Sequence, residues 1–288
     1  MIIPKCDHLV SGERFQELAN LVCYNTITRN ISRQALGVSK ERMFRIGQDD
    51  PDRIRSAKIL FVYANCISLF IEKHQNHISP GTVLITHNED TTVKPEHLCL
   101  FEKGIKVWYA QNASCFHENL IGIPIGIANS QWGHGDSDLI TYVRNSKLPK
   151  KRLVYKNFSI GTNLEARKLC IRDTIKLCPM FLGETQLTYW TQLANSKYVV
   201  SPPGNGPDCH RIWESLYLRT VPIVLRDSAL RHFETLPILF VDSWKDINET
   251  MLNELYETKF SQIDWNDIPQ LSINYWKWKI HSNLTPTV

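Results

Sequence analysis

The sequence predicts an α/β protein built on parallel sheet, and three stretches of its 288 residues carry that expectation. Residues 58–63, 68–78 and 82–86 read as strand, helix and strand, a βαβ unit with a right-handed crossover. Residues 198–200, the loop 201–208 and the helical spacing of Ile212, Trp213, Leu216 and Tyr217 read as strand, glycine loop and helix. Residues 152–155, 159–163 and a helix carrying Arg167 repeat that order.

Taken along the chain, residues 13–24 carry a helical stripe in Phe15, Leu18, Ala19 and Val22, whereas 32–48 is polar and basic without a pattern. After the βαβ unit comes a polar cluster, His87 to Asp90, at the carboxyl end of a strand, where open α/β sheets bind ligands. Residues 106–109 predict a further strand. The apolar run 120–127 is broken by Gly122, Pro124 and Gly126 and leads into a loop, 129–136, rich in hydrogen-bonding and aromatic groups. Residues 136–151 are polar and end in a linker, 147–151. Beyond it, 179–182 predicts a strand, 188–196 a helix, 220–225 and 236–241 buried strands, and 246–256 a helix. The aromatic tail, with Tyr275, Trp276 and Trp278, reads as packed core.

The length fits two domains of roughly 140 residues each. Net charge is +4, from 33 basic and 29 acidic residues without a long basic run, which argues against a nucleic-acid binder. No apolar run approaches the roughly 20 residues of a membrane span. The 8 cysteines are scattered without a C-x-x-C pair, and no signal peptide precedes them, so they read as free thiols of a cytoplasmic protein. Neither they nor the 10 histidines show zinc-site spacing. The Asp-x-Asp letters at Asp50 and Asp52, and at Asp136 and Asp138, follow no buried strand, so no metal is expected.

The densest chemistry lies between Ser201 and Glu214. Asp208 suits an N-cap, and the helix start behind it offers unpaired N–H groups and the positive end of a dipole to an anion such as phosphate. Gly204 and Gly206, without Cβ, let a ligand approach the backbone. His210 and Glu214 share a helical face with Arg211 beside them. A cation near phosphates and a carboxylate one turn further on suit a nucleotide, Arg211 to the diphosphate and Glu214 to the ribose. Asn163 and Arg167 stand to reach the diphosphate from the opposite side. A packed strand–turn–helix with a solvated Arg–Glu pair fits the same spacing.

Ser201-Pro-Pro-Gly-Asn-Gly-Pro-Asp-Cys-His-Arg-Ile-Trp-Glu214, followed by Leu216-Tyr-Leu218 and Val221-Pro-Ile-Val224, resembles the donor-site signature of exostosin-like glycosyltransferases. Pro203 stands where a basic residue is common there, and Arg219-Thr220 where a small residue and a glycine or cysteine are common. Thr86-His-Asn-Glu-Asp90 and Ile123-Pro-Ile-Gly-Ile-Ala-Asn-Ser-Gln-Trp132 resemble the first half of small members, so the resemblance extends patchily over residues 60–245. It implies the GT-B architecture, two Rossmann-like parallel-sheet domains facing across a cleft. Residues 1–150 would bind the acceptor, 151–268 the nucleotide sugar, and 269–288 would form a helix crossing back onto the first domain. It further implies a stand-alone soluble enzyme, like the virus-encoded xylosyltransferases of this family. Such an enzyme moves a sugar from a UDP-linked donor, UDP-xylose being one candidate, to a glycan hydroxyl, with no metal or other cofactor.

An inverting transfer needs one base for the acceptor hydroxyl and positive groups for the departing diphosphate. Asn163, Arg167, Ser201, Gly204, Asn205, Gly206, His210, Arg211 and Glu214 are expected to bind the donor, and Asn129, Trp132 and His134 the acceptor. Asp90 is the expected base, with Glu89 and His87 as alternates. A nucleotide-sugar epimerase of the same fold, and a binding module without turnover, are the competing readings; oligomeric state is left open.

Overall fold

In the computed structural model, residues 8–25 and 37–284 are described, and among them the strands form two parallel sheets. The first contains β1 (Leu21–Tyr24), β2 (Met43–Arg45), β3 (Ile59–Tyr63), β4 (Thr82–His87), β5 (Ile105–Ala110) and β6 (Leu120–Gly122), in the order β2-β1-β3-β4-β5-β6. The second contains β7 (Arg152–Tyr155), β8 (Ser196–Val200), β9 (Val221–Leu225) and β10 (Leu239–Val241), in the order β10-β9-β8-β7. Every pairing in both is parallel. The helices are α1 (Gly12–Glu17), α2 (Pro51–Ser56), α3 (Ile67–His74), α4 (Cys99–Glu102), α5 (Ser137–Asn145), α6 (Leu164–Asp173), α7 (Gln186–Ala194), α8 (His210–Tyr217), α9 (Glu249–Thr258) and α10 (Ile273–Ser282). All residues of β3 and β4 are buried, as expected of central parallel strands covered on both faces.

Several local expectations are corrected. The helical stripe over 13–24 is split: α1 ends at Glu17 and the chain re-enters as β1. Asn20 makes the change, because its N–H donates to Ile59 O at 2.9 Å while its Oδ1 accepts from Ile59 N at 2.9 Å, which starts the pairing with β3. The patternless stretch 32–48 lies partly outside the described residues, and its remainder supplies β2. The polar stretch 136–151 contains α5, whose N-cap Asp136 accepts from the N–H groups of Asp138 and Leu139. Only Ile140 and Val143 of α5 are buried, and they join the core on one face of the second sheet. Residues 179–182 form no strand: Phe181 alone bridges to Asn157, and Leu182 is 62% exposed. The Asp-x-Asp letters are absorbed structurally, Asp136 as this cap and Asp52 in a surface pair with Arg55 at 2.7 Å.

Segments near both ends of the described residues pack against the two sheets. Ile273, Trp276 and Ile280 of α10 are buried in the core of the first sheet, while Trp278 is exposed. Tyr109 of β5 donates its hydroxyl to Lys279 O at 3.0 Å. Tyr217, at the end of α8, accepts from Val10 N at 2.7 Å and donates to Leu271 O. Cys6 lies outside the described residues; the described cysteines are free. No described helix is long and apolar enough to cross a membrane.

Tyr217→Phe keeps the ring but leaves the buried Val10 N–H and Leu271 carbonyl without that partner. We expect it to cost about 1–3 kcal/mol, read as a lower urea midpoint at unchanged m-value. An unchanged midpoint would show that this hydroxyl does not hold the segments at Val10 and Leu271 in place.

Candidate functional site

The glycine loop leaves β8 at Ser201, whose N–H still donates to Ile223 O at 2.9 Å. Pro202 and Pro203 have no N–H, so the ladder stops there. Gly204 N donates to Gly206 O at 3.0 Å, and α8 starts at His210 with Cys209 as N-cap and no side-chain cap bond. The expected cap, Asp208, is turned inward instead. Its Oδ2 accepts from Ile125 N at 2.7 Å and its Oδ1 from Trp213 Nε1 at 2.8 Å. The first amides of α8 are therefore left without a side-chain cap, while the carboxylate that would have covered them ties the helix to the strand-to-loop segment after β6.

The glycines also make room for the protein's own side chains. A Cβ on Gly206 would stand 2.8 Å from Asn112 Nδ2, and one on Gly204 3.3 Å from the Arg167 guanidinium. Asn163 caps α6 by accepting from Ala166 N at 3.3 Å, and its Nδ2 donates to Gly204 O at 2.8 Å. Ser201 is buried, with Oγ 3.3 Å from Cys209 Sγ. Asn163, Ser201 and Gly206 thus shape the loop without lining the cleft.

Two guanidinium groups share one aromatic ring. Arg167 Cζ lies 5.6 Å and Arg211 Cζ 5.3 Å from the centroid of Phe158. Arg167 Nε donates to Pro203 O at 3.0 Å and its Nη1 to Ser159 O, while Arg211 Nε donates to Asn157 O at 3.0 Å. Arg167 is only 4% exposed, so it is not the solvated surface arginine that a helix position suggests. Among the described residues, neither arginine has a carboxylate within 4.0 Å. Burial, and then the charge of Arg211, lower the pKa of Arg167. Positive charge is held together here by backbone carbonyls and a ring face, an arrangement that favours an incoming anion.

Glu214, one turn into α8, is buried and accepts from Tyr189 Oη at 2.9 Å; burial raises its pKa. His210 Nδ1 lies 2.8 Å from Gly126 O, which can only accept, so the neutral ring carries its proton there and leaves Nε2 bare. Burial lowers the pKa of His210 and favours that neutral form.

On the first-sheet side, the cluster after β4 separates into unlike parts. His87 is buried: Nδ1 accepts from Asn88 N at 2.7 Å, Nε2 donates to Pro124 O at 3.0 Å, and burial pushes its pKa down to about 4. Both ring nitrogens are committed, so His87 is corrected from a base candidate to a structural residue. Glu89 is half-buried, and burial followed by the charge of Asp90 raises its pKa. Asp90 is exposed, and its Oδ2 accepts from Asn205 Nδ2 at 3.1 Å, a direct bond from the end of β4 to the glycine loop.

Between the two sheets lies a cavity of about 600 Å³. Arg167, Gly204, Asn205, His210, Arg211 and Glu214 line one side of it, and Asp90, Ile125 and His134 the other. A smaller cavity of about 220 Å³ adjoins it, sharing Asp90, Ile125 and His210 and adding Glu89, Gln111, Asn129 and Trp132. The three acceptor candidates are thus divided between the cavities. Asn129 is held by Glu13 N at 3.0 Å and by Asn88 Oδ1 at 3.1 Å, and Trp132 is 47% exposed. The His134 ring stands 6.1 Å from that of His210. Sequence reasoning missed Phe158, Tyr189, Glu184 and Gln111. Glu184 accepts from Asn157 Nδ2 at 2.8 Å and from Tyr155 Oη on the cleft wall. No spacing marks these residues, because each gains its place only when the strands are paired. Among the described residues no group of three or more His, Cys, Asp or Glu side chains is placed to hold a metal.

Burial raises the pKa of Asp208 to about 7 despite its N–H donors. In the unfolded chain it titrates near 3.9, so between about pH 4 and pH 7 the native state binds the extra proton and stability falls as pH rises. Asp208→Asn removes that titration but offers one oxygen to two donors. We expect it to be less stable than wild type, with a deficit largest near pH 4.5 and shrinking by pH 7.5, measured by urea unfolding at both. A deficit that grows with pH would refute the assigned burial effect. No family model and no curated protein matches this chain.

Proposed function

We propose that the protein is a glycosyltransferase of GT-B architecture and exostosin-like kind, using a UDP-linked sugar and inverting its anomeric centre. The observation that carries this reading is the pair Arg167 and Arg211 on Phe158, beside the uncapped start of α8 and across the cleft from Asp90. In this scheme the second-sheet side, residues 151–268, takes the donor, and the first-sheet side, within 1–150, takes the acceptor. The diphosphate rests against the two guanidiniums and the first amides of α8. Glu214, oriented by Tyr189, meets the ribose hydroxyls.

The reaction follows from that placement. Asp90 accepts the proton of the acceptor hydroxyl as its oxygen attacks the anomeric carbon. The bond from that carbon to the diphosphate oxygen breaks, and the electron pair leaves with the phosphate, where fixed positive charge is already oriented. The bond from Asn205 occupies one Asp90 oxygen and leaves the other for the incoming hydroxyl. The proposed chemistry draws its positive charge from the chain itself. Xylose is the sugar suggested by the family resemblance, and a glycan is the acceptor class.

The test is a panel of nucleotide sugars, with binding and turnover measured separately and repeated in chelator. Wild type should bind UDP and hydrolyse one UDP-sugar slowly, unchanged by chelator. Arg211→Ala should weaken UDP binding about tenfold or more. Asp90→Asn, which preserves shape and can still accept from Asn205, should bind UDP normally and lose about a hundredfold to ten-thousandfold in turnover. Failure of every nucleoside diphosphate to bind would sink the proposal; full activity in Asp90→Asn would remove only the choice of base.

A further inference from the structure

The smaller cavity contains a buried group that the chain itself does not use. Gln111 follows β5 directly, and its N–H donates to Thr86 O at 2.9 Å, which holds its backbone at the carboxyl end of the sheet. Its side chain is 1% exposed and lines the cavity, yet among the described residues neither Oε1 nor Nε2 has a hydrogen-bond partner. Gln131 Oε1, on the same wall, is likewise without one. Polar side-chain atoms buried in this way are rare, because each gives up its hydration with no return, and a position that keeps one invites a ligand-borne partner.

We propose that this cavity is the subsite for one neutral pyranose ring of the acceptor, and that Gln111 reads two of its hydroxyls. The inference rests on the transferase reading, in that the bound ring is the acceptor. A primary amide offers an acceptor oxygen and a donor nitrogen side by side, and adjacent ring hydroxyls return a donor and an acceptor. Trp132 supplies a half-exposed aromatic surface for the apolar C–H face of such a ring. The volume, about 220 Å³, lies below the roughly 300 Å³ from which drug-sized sites begin, so it suits a single sugar unit. Charge sets the class: Glu89 and Asp90 both border the cavity, whereas Arg167 and Arg211 line only the larger one. A uronate or phosphorylated sugar would meet carboxylates without a compensating cation. A ring held against Gln111 also lies beside Asp90, which the two cavities share.

The test is ligand-observed saturation-transfer NMR on the full chain with UDP present, titrating methyl glycosides of neutral hexoses and pentoses against methyl glucuronide. Neutral glycosides should bind, with the glucuronide about tenfold weaker or absent. Gln111→Leu should weaken the neutral glycosides about tenfold, leave UDP affinity unchanged and raise Tm, because a buried amide without a partner is exchanged for an apolar group. Trp132→Ala, at a half-exposed position that does not threaten folding, should weaken them as well. The proposal is overturned if neutral glycosides fail to bind, if the glucuronide is preferred, or if Gln111→Leu binds them like wild type. It is also overturned if Gln111→Leu loses them together with Tm, which would mark a structural role. A failure of UDP to bind would count against the donor reading alone, since the glycoside comparison is read independently.

Discussion

The cleft depends on one buried carboxylate. Asp208 holds Ile125 N with one oxygen and the Trp213 indole with the other, so it fixes α8 against the segment that follows the first sheet. Because that carboxylate is turned inward, the start of α8 lacks a side-chain cap. A single side-chain direction thereby bears on both how α8 meets the first-sheet side and how its first turn is capped. The burial that raises the Asp208 pKa is the energetic counterpart of that choice.

The parallel sheets were legible because buried strands such as β3, β4 and β9 are nearly unbroken apolar runs between polar or glycine-containing turns. Elements that rest on few buried residues were not. The α5 helix buries only Ile140 and Val143, too little for a periodic signal, and β1 is so short that its apolar residues also fit a helical stripe. The site was legible where a motif ran continuously, as from Gly204 to Glu214. It was obscured where the partner comes from elsewhere in the chain. Nothing local shows that Gly206 faces Asn112, that Arg167 and Arg211 share Phe158, or that Gln111 ends without a partner.

The two walls of the cleft differ in what they present. The second-sheet wall gathers two guanidiniums, with Glu184 and Glu214 beside them; the first-sheet wall gathers carboxylates, amides and an aromatic surface. Asp90 and Asn205 are where they touch. The two guanidiniums make the second-sheet wall the side of the cleft that favours an anion.

The hydroxyl of Tyr217 also bears on how the molecule assembles. Its bond from Val10 closes a separation of 207 residues, and its bond to Leu271 brings in the segment just before the last helix. Contacts so distant in sequence carry a loop-closure cost that is recovered only after the intervening elements are in place. Each sheet pairs its strands within its own stretch of chain, 21–122 and 152–241, whereas the place where they meet also draws on Val10 and Leu271, which lie outside both stretches.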